Sequence, residues 1–121
     1  AMSPPVQHAS AMAWSDEAHV IENRRLYREK FDAVTPLVAA HLKTARPDAR
    51  FYLWARTPIA DTEFALGLQR EYNVTVLPGS YLARESGGIN PGENFVRIAL
   101  VAPLEECLEA ARRIEDFCRK L

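Results

Sequence analysis

The chain has 121 residues, 48% of them hydrophobic and 26% charged, a globular mixture that excludes wholesale disorder and fits one domain. Fifteen Lys and Arg face sixteen Asp and Glu, for a net charge of −1, so nucleic-acid binding driven by bulk charge is not expected. The longest apolar runs, Phe51–Ala55 and Ile98–Ala102, have five residues each where a membrane helix needs about 20, so neither a membrane span nor a signal peptide is expected.

Ser3-Pro4-Pro5 opens a helix: serine suits the cap, and proline suits a first turn whose backbone donors are unpaired anyway. Val6, Ala9 and Met12 or Ala13 follow at helical spacing. Ser15-Asp16-Glu17 reads as a second start, with acids at the positive end of the helix dipole. Val20, Arg24, Tyr27, Phe31, Val34 and Val38 then repeat at intervals of four and three, one face of a long helix that Pro36 should kink. The charges of Glu22–Lys43 read as a solvated face.

Pro47-Asp48 marks a connection, and Phe51-Tyr52-Leu53-Trp54 an aromatic strand ended by Pro58. Asp61 can cap a helix running to Tyr72, with Phe64, Leu68 and Tyr72 on its inner face. Asn73 suits a left-handed helix end. Val74-Thr75-Val76 reads as a strand, Pro78-Gly79-Ser80 as a turn or a ligand-facing loop, and 83–93 as a loop. Phe95–Val101 is the strongest strand pattern. Pro103 then opens a last helix whose expected inner face is Leu104, Leu108, Ala111, Ile114, Cys118 and Leu121. The expected architecture is α+β, a small β-sheet packed against long helices.

Few residues carry chemistry. His8, His19 and His41 have no metal-ligand spacing, and no nucleophile elbow or phosphate loop occurs. Cys107 and Cys118 stand roughly 16 Å apart along one helix, beyond bridging reach. They read as reduced thiols of a cytoplasmic protein. Arg97 stands out. Val96, Ile98 and Leu100 share one face of the last strand, and Arg97 shares the other with Phe95 and Ala99. A guanidinium held there is exposed, pairs with a structural Asp or Glu, or presents its planar fork to a ligand carboxylate.

Three runs resemble a known family. Val74-Thr75-Val76-Leu77-Pro78-Gly79-Ser80-Tyr81 looks like the V-x-V-x-P-G-S-x-F segment of fold-type I, pyridoxal-phosphate-dependent aminotransferases. Phe95-Val96-Arg97-Ile98 looks like their closing strand, and Phe51–Trp54 followed by Asp61-Thr62-Glu63-Phe64 and Leu68 resembles the strand and helix before both. Glu22–Arg28, Tyr72–Arg84 and Ile89-Asn90-Pro91-Gly92 are most similar to the N-succinyldiaminopimelate aminotransferases of lysine synthesis.

The resemblance implies that residues 1–121 are a C-terminal small domain, with 1–43 including helices that link to an absent large domain. It implies that Arg97 binds the α-carboxylate of an amino-acid substrate. It also implies a homodimeric parent using pyridoxal 5'-phosphate and exchanging an amino group between an amino acid and a 2-oxo acid, with glutamate and N-succinyl-2-amino-6-oxopimelate the favoured pair. The family's cofactor lysine lies in a Ser-Lys segment upstream of everything matched. Lys30, Lys43 and Lys120 have no such context, so the chain alone is expected to bind no cofactor and to be inactive. Arg50 stands where the family pattern carries glycine. The alternatives are a stand-alone carboxylate-binding module, or a structural module whose Val6, Met12 and Trp14 form an apolar patch and drive self-association.

Overall fold

Alternation along the strand patterns is realised as a small antiparallel sheet. The computed structural model describes residues 2–49 and 51–121, so the glycine-to-arginine departure at Arg50 lies outside the described residues. Two helices lead, α1 (Pro4–Ser15) and α2 (Ala18–Ala39), followed by β1 (Tyr52–Arg56), α3 (Asp61–Tyr72), β2 (Leu77–Pro78), a short 3-10 turn (Gly79–Tyr81), β3 (Phe95–Ala99) and α4 (Leu104–Cys118). The expected α+β class is what forms.

β3 is the central strand, antiparallel to β1 on one side and to β2 on the other. Leu53 pairs with Ile98, Trp54 with Arg97 and Ala55 with Val96. This register puts Leu53, Ala55, Val96 and Ile98 on one face, buried in a core shared with Phe31, Val34 and Val38 of α2, Phe64 and Leu68 of α3, and Ile114 of α4. Removing such a side chain from water contributes about 1.5–3 kcal/mol, so the core fixes which face of each strand turns inward.

The long helix forms through Pro36, which stays inside α2. Phe31, Val34 and Val38 of its expected face are buried, Tyr27 is half-buried and Arg24 is exposed. Its outer face is laced by Arg25, which bonds Glu22 at 2.7 Å and Glu29 at 3.2 Å, the i,i+3 and i,i+4 pairing of a solvated helix surface. The Nζ of Lys30 crosses to the sheet and donates to the carbonyls of Leu100 and Val101.

Two expectations need correction. Val74-Thr75-Val76 is not a strand: only Leu77 and Pro78 pair with β3, opposite Arg97 and Val96. Asn73 does take the left-handed conformation, with φ 53°, and the Val74 N–H turns back to the Leu68 carbonyl. The chain thus leaves α3 by a helix-ending hydrogen bond. Val74 and Thr75 line one cleft with Ile98 and Ala99, so the chain meets β3 only at Leu77. The second correction concerns α4, whose buried residues are Cys107, Ala111, Ile114 and Phe117. Leu104, Leu108 and Cys118 are half-buried at its border, and Leu121 is exposed. Phe117 turns the stripe inward because its ring packs edge-on against Phe64 and Tyr72. Both cysteines are free.

α1 has no buried residue. Trp14 is 85% exposed and Met12 64%, and Val6 is exposed beside them. Among the described residues, no helix is long and apolar enough to cross a membrane.

Candidate functional site

Arg97 sits in the middle of the central strand, on the face that the core does not cover. Its cross-strand neighbours are Trp54 on β1 and Leu77 on β2. Its guanidinium carbon lies 5.6 Å from the centroid of the Tyr52 ring, where the negative face of the ring attracts the cation. Trp54 stacks on Phe95 at 5.6 Å between centroids, stiffening the same face. Tyr52, Trp54, Leu82 and Arg97 together line a cavity of about 330 Å³.

The Nε of Arg97 is buried and has no hydrogen-bond partner among the described residues. None of the ion pairs among the described residues includes Arg97. Arg97 is thus half-buried and makes no ion pair within the described residues. A buried donor left unmet costs roughly 1–3 kcal/mol. A planar ligand carboxylate would meet it with two parallel charge-assisted bonds. A larger cleft of about 560 Å³ runs along α4 and residues 73–75 and 98–102. Its lining carries Glu105, Glu106 and Glu109 together with Arg113, so acidic side chains outnumber the one cation there.

The loop that closes this cavity is held by two features. Pro78-Gly79-Ser80 is a tight structural turn, and its glycine lies against Gly92. A Cβ at Gly79 would sit 2.3 Å from the Gly92 carbonyl oxygen and 2.8 Å from the Trp54 ring, so the two backbones meet only because both positions lack a side chain. The second feature is Asp61. Its carboxylate was expected to cap α3, but it makes no capping bond. Instead Oδ2 accepts from the Ser80 N–H at 2.8 Å and Oδ1 from the Asn94 N–H at 3.3 Å. Burial pushes this carboxyl up, but the hydrogen bonds from Ser80 and the Asn94 backbone outweigh it and hold it below the usual Asp value. The clamp is missed by sequence reasoning because its partners lie 19 and 33 positions away. The only local signal is an aspartate beside a helix start, which a cap explains equally well.

No carboxylate, histidine, lysine or cysteine joins Arg97 in the cavity lining, and the phenol of Tyr52 is its one other ionisable group. Burial pushes the Cys118 thiol up to about 11 and raises Cys107 as well, which keeps both in the unreactive form. No cluster of three His, Cys, Asp or Glu side chains able to hold a metal occurs among the described residues. The arrangement can bind and orient an anionic planar group.

Comparison with known proteins gives a consistent pattern. The family model for aminotransferase class I and II matches residues 1–114. An LL-diaminopimelate aminotransferase of Nitratidesulfovibrio vulgaris strain DP4 is 37% identical over 113 residues, which is 90% of this chain and 28% of that protein. The crystal structure of an aminotransferase from Neisseria meningitidis superposes with a TM-score of 0.91 at 49% identity, covering 98% of this chain and 30% of that one. A probable N-succinyldiaminopimelate aminotransferase from Thermus thermophilus superposes at 0.70 with 40% identity, covering 84% of this chain and 26% of that one. The chain thus spans under a third of the length of each of these three proteins.

Proposed function

The chain belongs to the aminotransferase class I and II family, and from that premise we propose that it is the C-terminal small domain of a longer transaminase, with Arg97 as its anchor for the substrate α-carboxylate. The observation that carries this reading is the buried, unpartnered Nε of Arg97 in a cavity lined by Tyr52, Trp54 and Leu82. Residues 1–43 would contain the helices that join the rest of the enzyme. The exposed Val6, Met12 and Trp14 support that role, since large apolar side chains left open around a helix are normally covered in the working assembly.

The parent would move an amino group between an amino acid and a 2-oxo acid, as a homodimer. The relatives named for diaminopimelate and N-succinyldiaminopimelate favour an acceptor from lysine synthesis, with glutamate and N-succinyl-2-amino-6-oxopimelate as the leading pair. In this family pyridoxal 5'-phosphate supplies the chemistry by acting as an electron sink for the substrate.

The described residues do not by themselves fit that group. Lys30 is committed to two backbone carbonyls. Lys120 lies beside Glu71 and over the Tyr72 ring. Lys43 is exposed, and no lysine lines the Arg97 cavity. No step is therefore assigned to this chain beyond binding and orientation. A planar carboxylate gripped at Arg97 would have its α-carbon fixed relative to the sheet, which is what a reaction at that carbon requires.

The test is transamination by the full reading frame that encodes the chain, with 2-oxoglutarate or N-succinylated substrate. Arg97→Ala should lower kcat/KM at least about thirtyfold, the loss expected when one partner of a buried charged pair is truncated. An unchanged kcat/KM would overturn the assignment. A cavity whose one charged lining residue is Arg97 favours a second reading, a carboxylate-binding module with no chemistry of its own. Absence of turnover in the full frame, with binding retained, would select it.

A further inference from the structure

Asp61 is the most deeply buried charged side chain among the described residues, 3% exposed, and it faces no cation. Its two oxygens are divided between two segments that are far apart in sequence. One takes the Ser80 N–H, in the turn that leads to Leu82; the other takes the N–H of Asn94, the residue just before β3. Both segments are tied down further. The Asn94 carbonyl accepts the Thr57 N–H at 2.9 Å, and the Ser80 carbonyl accepts the Asn90 side-chain amide at 3.0 Å. Asn94 also sits at φ 62°, in the left-handed region that asparagine adopts more readily than other non-glycine residues.

These two segments carry two of the four residues that line the Arg97 cavity, the other two being Tyr52 and Trp54 of β1. Leu82 follows Ser80 by two residues, and Arg97 follows Asn94 by three. We propose that Asp61 is the positioning residue of this site: its carboxylate fixes the Ser80 turn and the start of β3 at one spacing, and so sets the gap between Leu82 and the Arg97 guanidinium. This rests on the reading of Arg97 as a carboxylate anchor. A bidentate fork needs its ligand in one plane and at one depth, so a wall that drifts by an ångström loses one of the two bonds. A carboxylate suits the task because it accepts from two backbone donors at once. Asparagine can accept with its oxygen only, and its amide nitrogen would confront the other N–H.

The experiment uses the ¹⁵N-labelled 121-residue chain, the Nε–Hε signal of Arg97, and 2-oxoglutarate as the probe. In Asp61→Asn, solvent exchange of that buried Nε–H should accelerate about tenfold or more, and 2-oxoglutarate affinity should fall about tenfold, while core amide signals stay in place. Asp61→Glu should recover part of both losses, because it keeps two acceptor oxygens. Wild-type exchange and affinity in Asp61→Asn would overturn the proposal. So would an Asp61→Glu variant no better than Asp61→Asn. If 2-oxoglutarate leaves the Arg97 signal of the wild-type chain unmoved, the carboxylate reading fails instead. The exchange comparison still decides whether Asp61 positions the guanidinium.

Discussion

On one face of the sheet Leu53, Ala55, Val96 and Ile98 are buried against the helices; on the other, Tyr52, Trp54, Phe95 and Arg97 are only half-buried. The same two strands build both faces, so local conformation does not distinguish them. The inner face is explained completely by burial, since each of its side chains removes apolar surface from water. The outer face is not. It holds a guanidinium whose Nε is out of water with no partner among the described residues, and three aromatic side chains that are neither exposed nor enclosed. A feature that costs stability on one face of a well-packed sheet points to a ligand as its reason.

The comparison can be broken at four points, in descending order of effect on stability. Leu53→Ala, on the inner face, should destabilise the chain by about 2–5 kcal/mol, read by urea denaturation. Loss of less than about 1 kcal/mol would mean that the core is not what orders the strands. Gly79→Ala comes next. Its methyl group would meet backbone oxygens of Gly92 and Phe95 at 2.3 and 2.8 Å, so the loop must move, at a cost of about 1–3 kcal/mol. Binding of 2-oxoglutarate should weaken with it, because the turn carries Leu82. Retained stability with lost binding would sharpen the contrast further.

A smaller effect is expected from acid. The Asp61 carboxyl is held below its usual value in the fold, so the unfolded chain takes up its proton first and stability falls with pH. The stability gap between wild type and Asp61→Asn should be constant from about pH 5 to 7. It should shrink as the pH drops through the ordinary Asp value of about 3.9 and below. A gap that is flat down to about pH 3 would contradict the ionised clamp. The smallest effect belongs to the outer face itself. Arg97→Ala should change stability by under about 1 kcal/mol, because it removes a side chain whose Nε bonds nothing in the fold.

What could be read from the sequence follows the range of the interactions involved. The faces of α2 and α3, the left-handed Asn73 and the strand around Arg97 are local patterns, and they appear as expected. Val96 and Ile98 inward, Arg97 outward, is a period-two statement that needs no partner. The misses are non-local. Val74 and Val76 are buried as a strand pattern demands, yet whether they pair depends on where the chain leaves α3 relative to β3. Phe117 displaces Leu121 from the α4 stripe because two rings from α3, Phe64 and Tyr72, are waiting for it. Asp61 looked like a cap because the N–H groups it serves lie beyond the next strand. Arg97 could be singled out early, since a cation inside an apolar strand is a conflict visible in one dimension. Its missing ion-pair partner was visible only in three.

The claim at the centre is that the Arg97 fork waits for a carboxylate. Its most direct test is a calorimetric titration of the 121-residue chain with 2-oxoglutarate, repeated on Arg97→Ala and Arg97→Lys. Both variants should lose at least about tenfold in affinity, lysine included, because a point charge cannot replace a planar pair of donors. Binding by Arg97→Ala at wild-type affinity would contradict the account.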